Sequence, residues 1–404
     1  METTLCGLSA WEYLRTPPGL RELELSHDDA CSLGLAPELL RVKNDARDAD
    51  RLVSSRLLTD LKGVSTPVQV ISSVDSSGHK SRLAVPHRCS NDLVSEFSVD
   101  LGNGLQTLTA EALVCCVPST TDVFVLAKMM FEACGLFSLL PSSKHMDALV
   151  ARLVTEGLLS KENSRSKVFG FSDERGNLVP TLDIEGEELA WAPAFDRKGK
   201  ITDLWKRPPL TDVGRIAAAL DAFELGPRHP ARLALSMVHN GAASPAEAKA
   251  VMLLCSGSRF GGESWGRPEL NRRIAFTPEA QRLAHTRYCI ADSLWAEERS
   301  VLEVQGEAFH ADEEGFRVAS GRTAALESMG YSVAELLNEQ MADLELFDTL
   351  LPSMAKKLGF SLEKRTISFL RRRDRLHQAL FGEPYEPRAL EVSARRPSRG
   401  RCGR

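Results

Sequence analysis

Asp292 and Glu303 are the residues whose types and spacing first point to chemistry. They lie in the run RYCIADSLWAEERSVLEVQGEAFH, residues 287–310. Alternation of apolar and polar residues on either side of Glu297-Glu298 predicts a β-hairpin there. With the turn centred on those two glutamates, Asp292 faces Glu303, Leu294 faces Val301 and Ile290 faces Gln305. Ala291 then meets Val304, and Ser293 meets Leu302, a face apolar enough to pack against helices. Side chains alternate along a strand, so Glu303 and Gln305 project to one side. Facing Cβ atoms sit ~4.5–5.5 Å apart, and like charges at that distance destabilise a sheet. A cation, a nearby arginine, proton uptake or exposure at a sheet edge would each relieve the repulsion. Mg²⁺ or Mn²⁺ is one candidate, since hard divalent cations accept a few carboxylates together with water and phosphate oxygens. Such an ion polarises a phosphodiester and lowers the pKa of an attacking water.

The hairpin needs elements to hold it. Ser244-Pro245-Ala246-Glu247 has the N-cap, first-turn proline and third-position glutamate of a capping box, predicting a helix to about Cys255. A glycine-rich loop (Gly257–Gly266) and a strand near Glu269–Phe276 follow. The hairpin strands are expected over Thr286–Trp295 and Ser300–Gly306, a helix over Val318–Met329 ending at Gly330, and a strand over Tyr331–Leu337. This β-β-β-α-β order after a helix predicts one small mixed sheet carrying helices. Asn338 is expected to cap a long helix towards Leu358.

With these residues in place, a family can be named. The order Asp292 … Glu303-x-Gln305 resembles the PD-(D/E)XK restriction-endonuclease superfamily, and 244–337 resembles its branch of very-short-patch repair endonucleases. Trp295, Ala296, Glu297, Val301-Leu302-Glu303-Val304-Gln305-Gly306 and His310 follow that branch's string, and Arg322, Leu326 and Gly330 its helix and turn. The resemblance implies that Asp292 and Glu303 ligate Mg²⁺, that Gln305 helps position water, and that Glu247 approaches the metal. It implies a catalytic set of Asp292, Glu303, Gln305, Glu247 and His310, acting on DNA. Gln305 stands where the superfamily has lysine, Ala296 where the branch has proline, and no acid precedes Arg322. The whole chain more loosely resembles actinobacterial proteins with an AbiEi-antitoxin-like N-terminal region, through Ala10–Arg15, Pro86–Ser90 and Ser244–Glu247.

The expected fold class is α+β and multidomain. Residues 1–118 form an α+β region and 119–243 a helical region with a 160–209 insertion. Residues 244–360 form the endonuclease-like domain, and 361–404 a basic helix and disordered tail. Strands are expected at Thr66–Ser72 and Ser81–Val85 about a Ser76-Ser77-Gly78 turn, with helical segments at Ala10–Arg15, Pro37–Arg41 and Thr107–Cys116. Further helices are expected at Val123–Cys134, Ser143–Leu158, Asp212–Phe223 and Pro230–His239. Phe169-Gly170-Phe171 is expected to pair with Leu178–Ile184.

Composition narrows the classes. The opening residues lack a basic segment followed by an apolar one, and no apolar run approaches the ~18 residues of a membrane span. Nine scattered cysteines without C-x-x-C or zinc spacing fit a reducing compartment. A cytoplasmic protein without a membrane partner is expected. Net charge is −5, yet residues 364–404 hold 12 Lys and Arg against 4 Asp and Glu. Attraction to DNA is therefore expected at Arg371, Arg372 and Arg373, with Arg322 as a further phosphate contact. Only Phe369 and Phe381 interleave with those arginines, so base stacking is not expected there. The catalytic reading is a metal-dependent DNA endonuclease. Its alternative is a non-catalytic DNA-binding or antitoxin-like regulator, with a protein partner at its N-terminal region. A third reading is a purely structural interaction protein, and in structural terms the acids only keep a hairpin edge soluble, Glu247 caps its helix, and His310 closes a loop.

Overall fold

The computed structural model describes residues 3–17, 20–21, 53, 56–57, 59, 61–72, 83–87, 96–102, 104–140, 144–155, 159–162, 168–171, 180–182, 188–195, 201–305 and 313–382. The described residues are mixed α/β, with several sheets and no barrel among them. The expectations at Pro37–Arg41, Ser76–Gly78, His310 and the tail after Pro384 lie outside the described residues.

The N-terminal sheet comprises β1 (Thr3–Leu5), β2 (Val68–Ser72), β3 (Ala84–His87), β4 (Ser98–Asp100) and β5 (Leu105–Leu108), in the order β3-β2-β1-β5-β4. Helix α1 (Gly7–Arg15) follows β1, and α2 (Ala110–Cys115) follows β5. The strands expected at 66–72 and 81–85 do pair, but in parallel, with Val68 beside Ala84. Part of the helix expected over 107–116 is the end of β5, because Thr109 is the N-cap and its hydroxyl accepts the Ala112 N–H.

Asp122 caps α3 (Val123–Cys134) by accepting the N–H groups of Phe124 and Val125. Beyond Gly135, β6 (Phe137–Leu139) leads to α4 (Lys144–Thr155). Strands β7 (Leu159–Glu162) and β8 (Val168–Phe171) pair with each other, and β9 (Pro180–Leu182) pairs with β10 (Glu188–Ala190). The expected pairing of 169–171 with 178–184 is thus incorrect: each strand pairs with the strand on its other side in sequence. The end of the expected insertion also joins the core. Strands β11 (Ala192–Phe195) and β12 (Ile201–Lys206) complete a sheet with β6, burying Trp205. Helices α5 (Val213–Ala222) and α6 (Pro230–Leu235) follow.

The remaining elements carry the acids. Helix α7 (Pro245–Cys255) precedes β13 (Glu269–Ala275), α8 (Pro278–Ala284), β14 (Tyr288–Trp295) and β15 (Ser300–Gln305). Then come α9 (Glu313–Ser328), β16 (Ser332–Leu337), α10 (Asn338–Ala342), α11 (Leu344–Leu358) and α12 (Ile367–Phe381). The sheet order is β13-β14-β15-β16, antiparallel except for β15 with β16. Helix α8 was not expected; Thr277 caps it, accepting the Ala280 N–H, with Pro278 in the first turn. The long helix expected from Asn338 is two helices, because Asp343 caps a new start by accepting the Leu346 N–H.

One apolar cluster joins Leu5, Phe131, Leu253, Leu302 and Leu376. A second, with Ile274, Ala291, Val301, Leu326 and Val333, fastens α8 and α9 to the sheet. The Asp292 and Glu303 neighbourhood lies within this frame.

Candidate functional site

Hairpin register comes first. Ser293 pairs with Leu302, Leu294 with Val301 and Trp295 with Ser300, as expected. Backbone pairing then stops one residue short of Asp292 and Glu303. At that point the Asp292 carboxylate accepts the Val304 N–H at 2.7 Å, so a side chain takes over from the ladder. β14 meanwhile stays paired with β13 as far as Tyr288. The strands therefore part where the acids sit, and Ala291 and Val304 do not pair.

Glu303 is buried, at 3% exposure. One carboxylate oxygen accepts from the Arg322 guanidinium at 2.8 Å, while Oε1 is buried without a hydrogen-bond partner. Buried polar atoms nearly always have partners, so this oxygen requires a reason. Burial pushes the Glu303 carboxyl up to about 8, Asp292 adds to the rise, and Arg322 opposes it. Glu335, its register partner on β16, and Glu247 raise it further. Burial likewise raises Asp292, opposed by the Val304 N–H and Arg322. Of the four ways to relieve the repulsion, the folded chain shows a nearby arginine and a raised proton affinity. Exposure at a sheet edge is excluded for Glu303, because β15 lies between β14 and β16.

Glu247 is also buried, and burial followed by Asp292 pushes it up to about 7. Its carboxylate accepts from the Ala243 N–H, the Ser244 hydroxyl and the Asn271 amide. These bonds account for its position as a helix cap, and the electrostatic influence of Asp292 brings it into the same acid group. Asn271, at φ 51°, is the β13 residue that links the cap to the sheet. Nothing in the sequence pattern marks it out. Gln305 is buried on β15, on the same side as Glu303 by alternation.

The basic residues separate. Arg322, on α9, is an ion-pair partner of Glu303 and about a third exposed. Arg371 is exposed on α12, while Arg372 donates to the Ser258 carbonyl and Ser368 hydroxyl. The expectation that Arg373 contacts phosphate is incorrect. It is 1% exposed, is paired with Glu263 and, at 3.6 Å, with Asp348, and donates to the Leu253 carbonyl. Helical spacing sets it beside Phe369, Leu376 and Leu380 on the buried face of α12, a placement a run of three arginines does not reveal.

Among the described residues, no three His, Cys, Asp or Glu side chains are arranged to hold a metal ion together. Asp292 and Glu303 form a pair of oxygen donors, one with an unpartnered buried oxygen. That is a donor set suited to a hard divalent cation completing its shell with water and phosphate. Among the described residues, no helix is long and apolar enough to cross a membrane. No protein-family profile, curated protein or solved structure matches the chain.

Proposed function

We propose that the chain is a divalent-metal-dependent DNA endonuclease whose 244–337 segment is restriction-endonuclease-like. The observation that carries this reading is the unpartnered Glu303 Oε1, buried beside Asp292 where β14 and β15 part. Asp292 and Glu303 would hold Mg²⁺ or Mn²⁺, which supplies charge stabilisation at the phosphodiester and a more acidic water. The chain's own residues do the rest. The Val304 N–H fixes the Asp292 carboxylate and favours its ionised form. Arg322 favours ionisation of Glu303 in the same way and, about a third exposed, offers positive charge to a phosphate oxygen. Gln305 lacks a titratable group, so it orients a water or phosphate oxygen by hydrogen bonding and takes no proton. Glu247 is immobilised by three donors and acts by its field rather than by moving.

The reading is tested by thermal shift and cleavage at pH 8. Mn²⁺ is expected to raise the Tm of the wild type and not of Glu303→Ala. Mg²⁺- or Mn²⁺-dependent cleavage of DNA is expected to disappear in Asp292→Ala. Absence of both a metal-dependent rise in Tm and cleavage in the wild type would sink the proposal.

One observation favours the alternative of a non-catalytic DNA-binding regulator built on this scaffold. Arg322 already supplies a positive charge to Glu303 at 2.8 Å, as a purely structural ion pair would. Salt-sensitive DNA binding that survives in the Asp292→Ala/Glu303→Ala variant, without wild-type cleavage at any Mn²⁺ concentration, is the outcome that selects this reading.

A further inference from the structure

Tyr288 and Ile290 alternate with buried Cys289 and Ala291 on β14, so the two share one side of the strand. Both are exposed, at 42% and 39%. Exposed large apolar groups grouped on one side of a strand call for an occupant more than scattered ones do. β13 runs alongside as the sheet edge, placing Arg273 opposite Ile290. The Arg273 guanidinium stacks 4.0 Å from the centroid of the Tyr288 ring.

The surrounding charge is distinctive for this acidic chain. Residues 267–288 contain five arginines (267, 272, 273, 282 and 287) against Glu269 and Glu279. Arg272, Arg273, Arg282 and Arg287 are all exposed; Arg272 and Arg282 pair with Glu269 and Glu279, and of the two β13 arginines Arg273 lies on the Ile290 side. An edge strand bearing Arg272 and Arg273 is protected against pairing with a second copy of itself. A polyanion with flat, π-bearing groups matches both the charge and the aromatic ring. In a duplex the bases are already stacked on one another, whereas an unpaired strand offers them to an aromatic platform.

We infer that the exposed side of β13 and β14 formed by Arg273, Tyr288 and Ile290 seats a single-stranded nucleic acid. Tyr288 stacks on a base and Arg273 holds the adjoining backbone. The inference goes beyond the proposed nuclease reading and does not rest on it.

The experiment uses the full chain carrying Asp292→Ala and Glu303→Ala, in EDTA, so that binding is measured without cleavage. Fluorescence anisotropy follows a labelled twelve-nucleotide oligo-dT and the corresponding dA·dT duplex over a salt series. The single strand is expected to bind at least about tenfold more tightly than the duplex, as a stacking platform requires. Adding Tyr288→Ala is expected to weaken single-strand binding by about 5- to 100-fold. Tyr288→Phe, which keeps the ring, is expected to leave binding unchanged and guards against misfolding of the alanine variant. Arg273→Ala is expected to lower the slope of log affinity against log salt by about 0.7. Duplex binding as tight as single-strand binding, or single-strand affinity within twofold of the parent in Tyr288→Ala, overturns the inference. Equal losses in Tyr288→Phe and Tyr288→Ala also overturn it. Because no arm depends on metal or turnover, a chain that binds this way yet never cleaves removes only the nuclease reading. A chain that cleaves but is indifferent to these substitutions removes only this inference.

Discussion

Glu303 is the residue at which folding and chemistry pull against each other. Its folded pKa, about 8, lies above the ordinary value of 4.5, and Glu247 is raised to about 7. A carboxyl raised in this way binds its proton better in the folded chain than in the unfolded one. Its contribution to stability is complete below about pH 4.5 and is lost as pH climbs through 7 to 8. Metal-free protein is therefore expected to lose stability between pH 5 and pH 8, by at most about 1.4 kcal/mol per pH unit for each proton involved. Urea denaturation in EDTA at stepped pH should show a flatter profile for Glu303→Gln, because that side chain does not titrate. Parallel profiles for the two proteins would exclude Glu303 as the source.

At the scale of elements, caps and close approaches hold the acids in register. Asp122 accepts two N–H groups at the start of α3 and also pairs with Arg375 of α12 at 3.2 Å. Asp122→Ala is expected to cost about 1–2 kcal/mol in chemical denaturation, most of it from the lost cap. Gly261 sits at φ 99°, where a Cβ would come 2.5 Å from the Arg372 backbone. Gly261→Ala should therefore destabilise by about 1–3 kcal/mol or more through overpacking and backbone strain, read as a lower denaturation midpoint. These elements were unequally legible. The capping box at Ser244 and the hairpin register follow from local patterns, and both are present in the fold. Helix α8 was hidden because seven residues are too few to display a helical period, although Thr277-Pro278-Glu279 is a start signal. The partners of β7 to β10 were misread because short strands of similar character have many plausible neighbours, and tertiary packing selects among them.

Across the whole molecule, α12 binds the end of the described chain to its middle. Arg373 joins Glu263 in the loop before β13, Asp348 on α11 and the Leu253 carbonyl on α7. Removing one side of a buried ion pair leaves the other charge stranded, so Arg373→Ala is expected to cost about 3–5 kcal/mol. Arg371→Ala, at an exposed position, should stay within about 0.5 kcal/mol. A denaturation curve for each separates the two, and similar losses would contradict the buried placement of Arg373. The sequence by itself determined the hairpin, its turn and the register of Ser293 to Trp295 with Ser300 to Leu302, because alternation with period two and a short turn are local properties. It also established the capped helix bearing Glu247 and the basic character of the last helix. Only the tertiary structure decided that β14 and β15 part at Asp292 and that Arg322 reaches Glu303 from another element. The same packing buried Arg373 and left Tyr288 exposed beside Arg273. Such outcomes depend on which surfaces are withdrawn from water when distant segments pack, and the spacing of residues along one segment does not encode them.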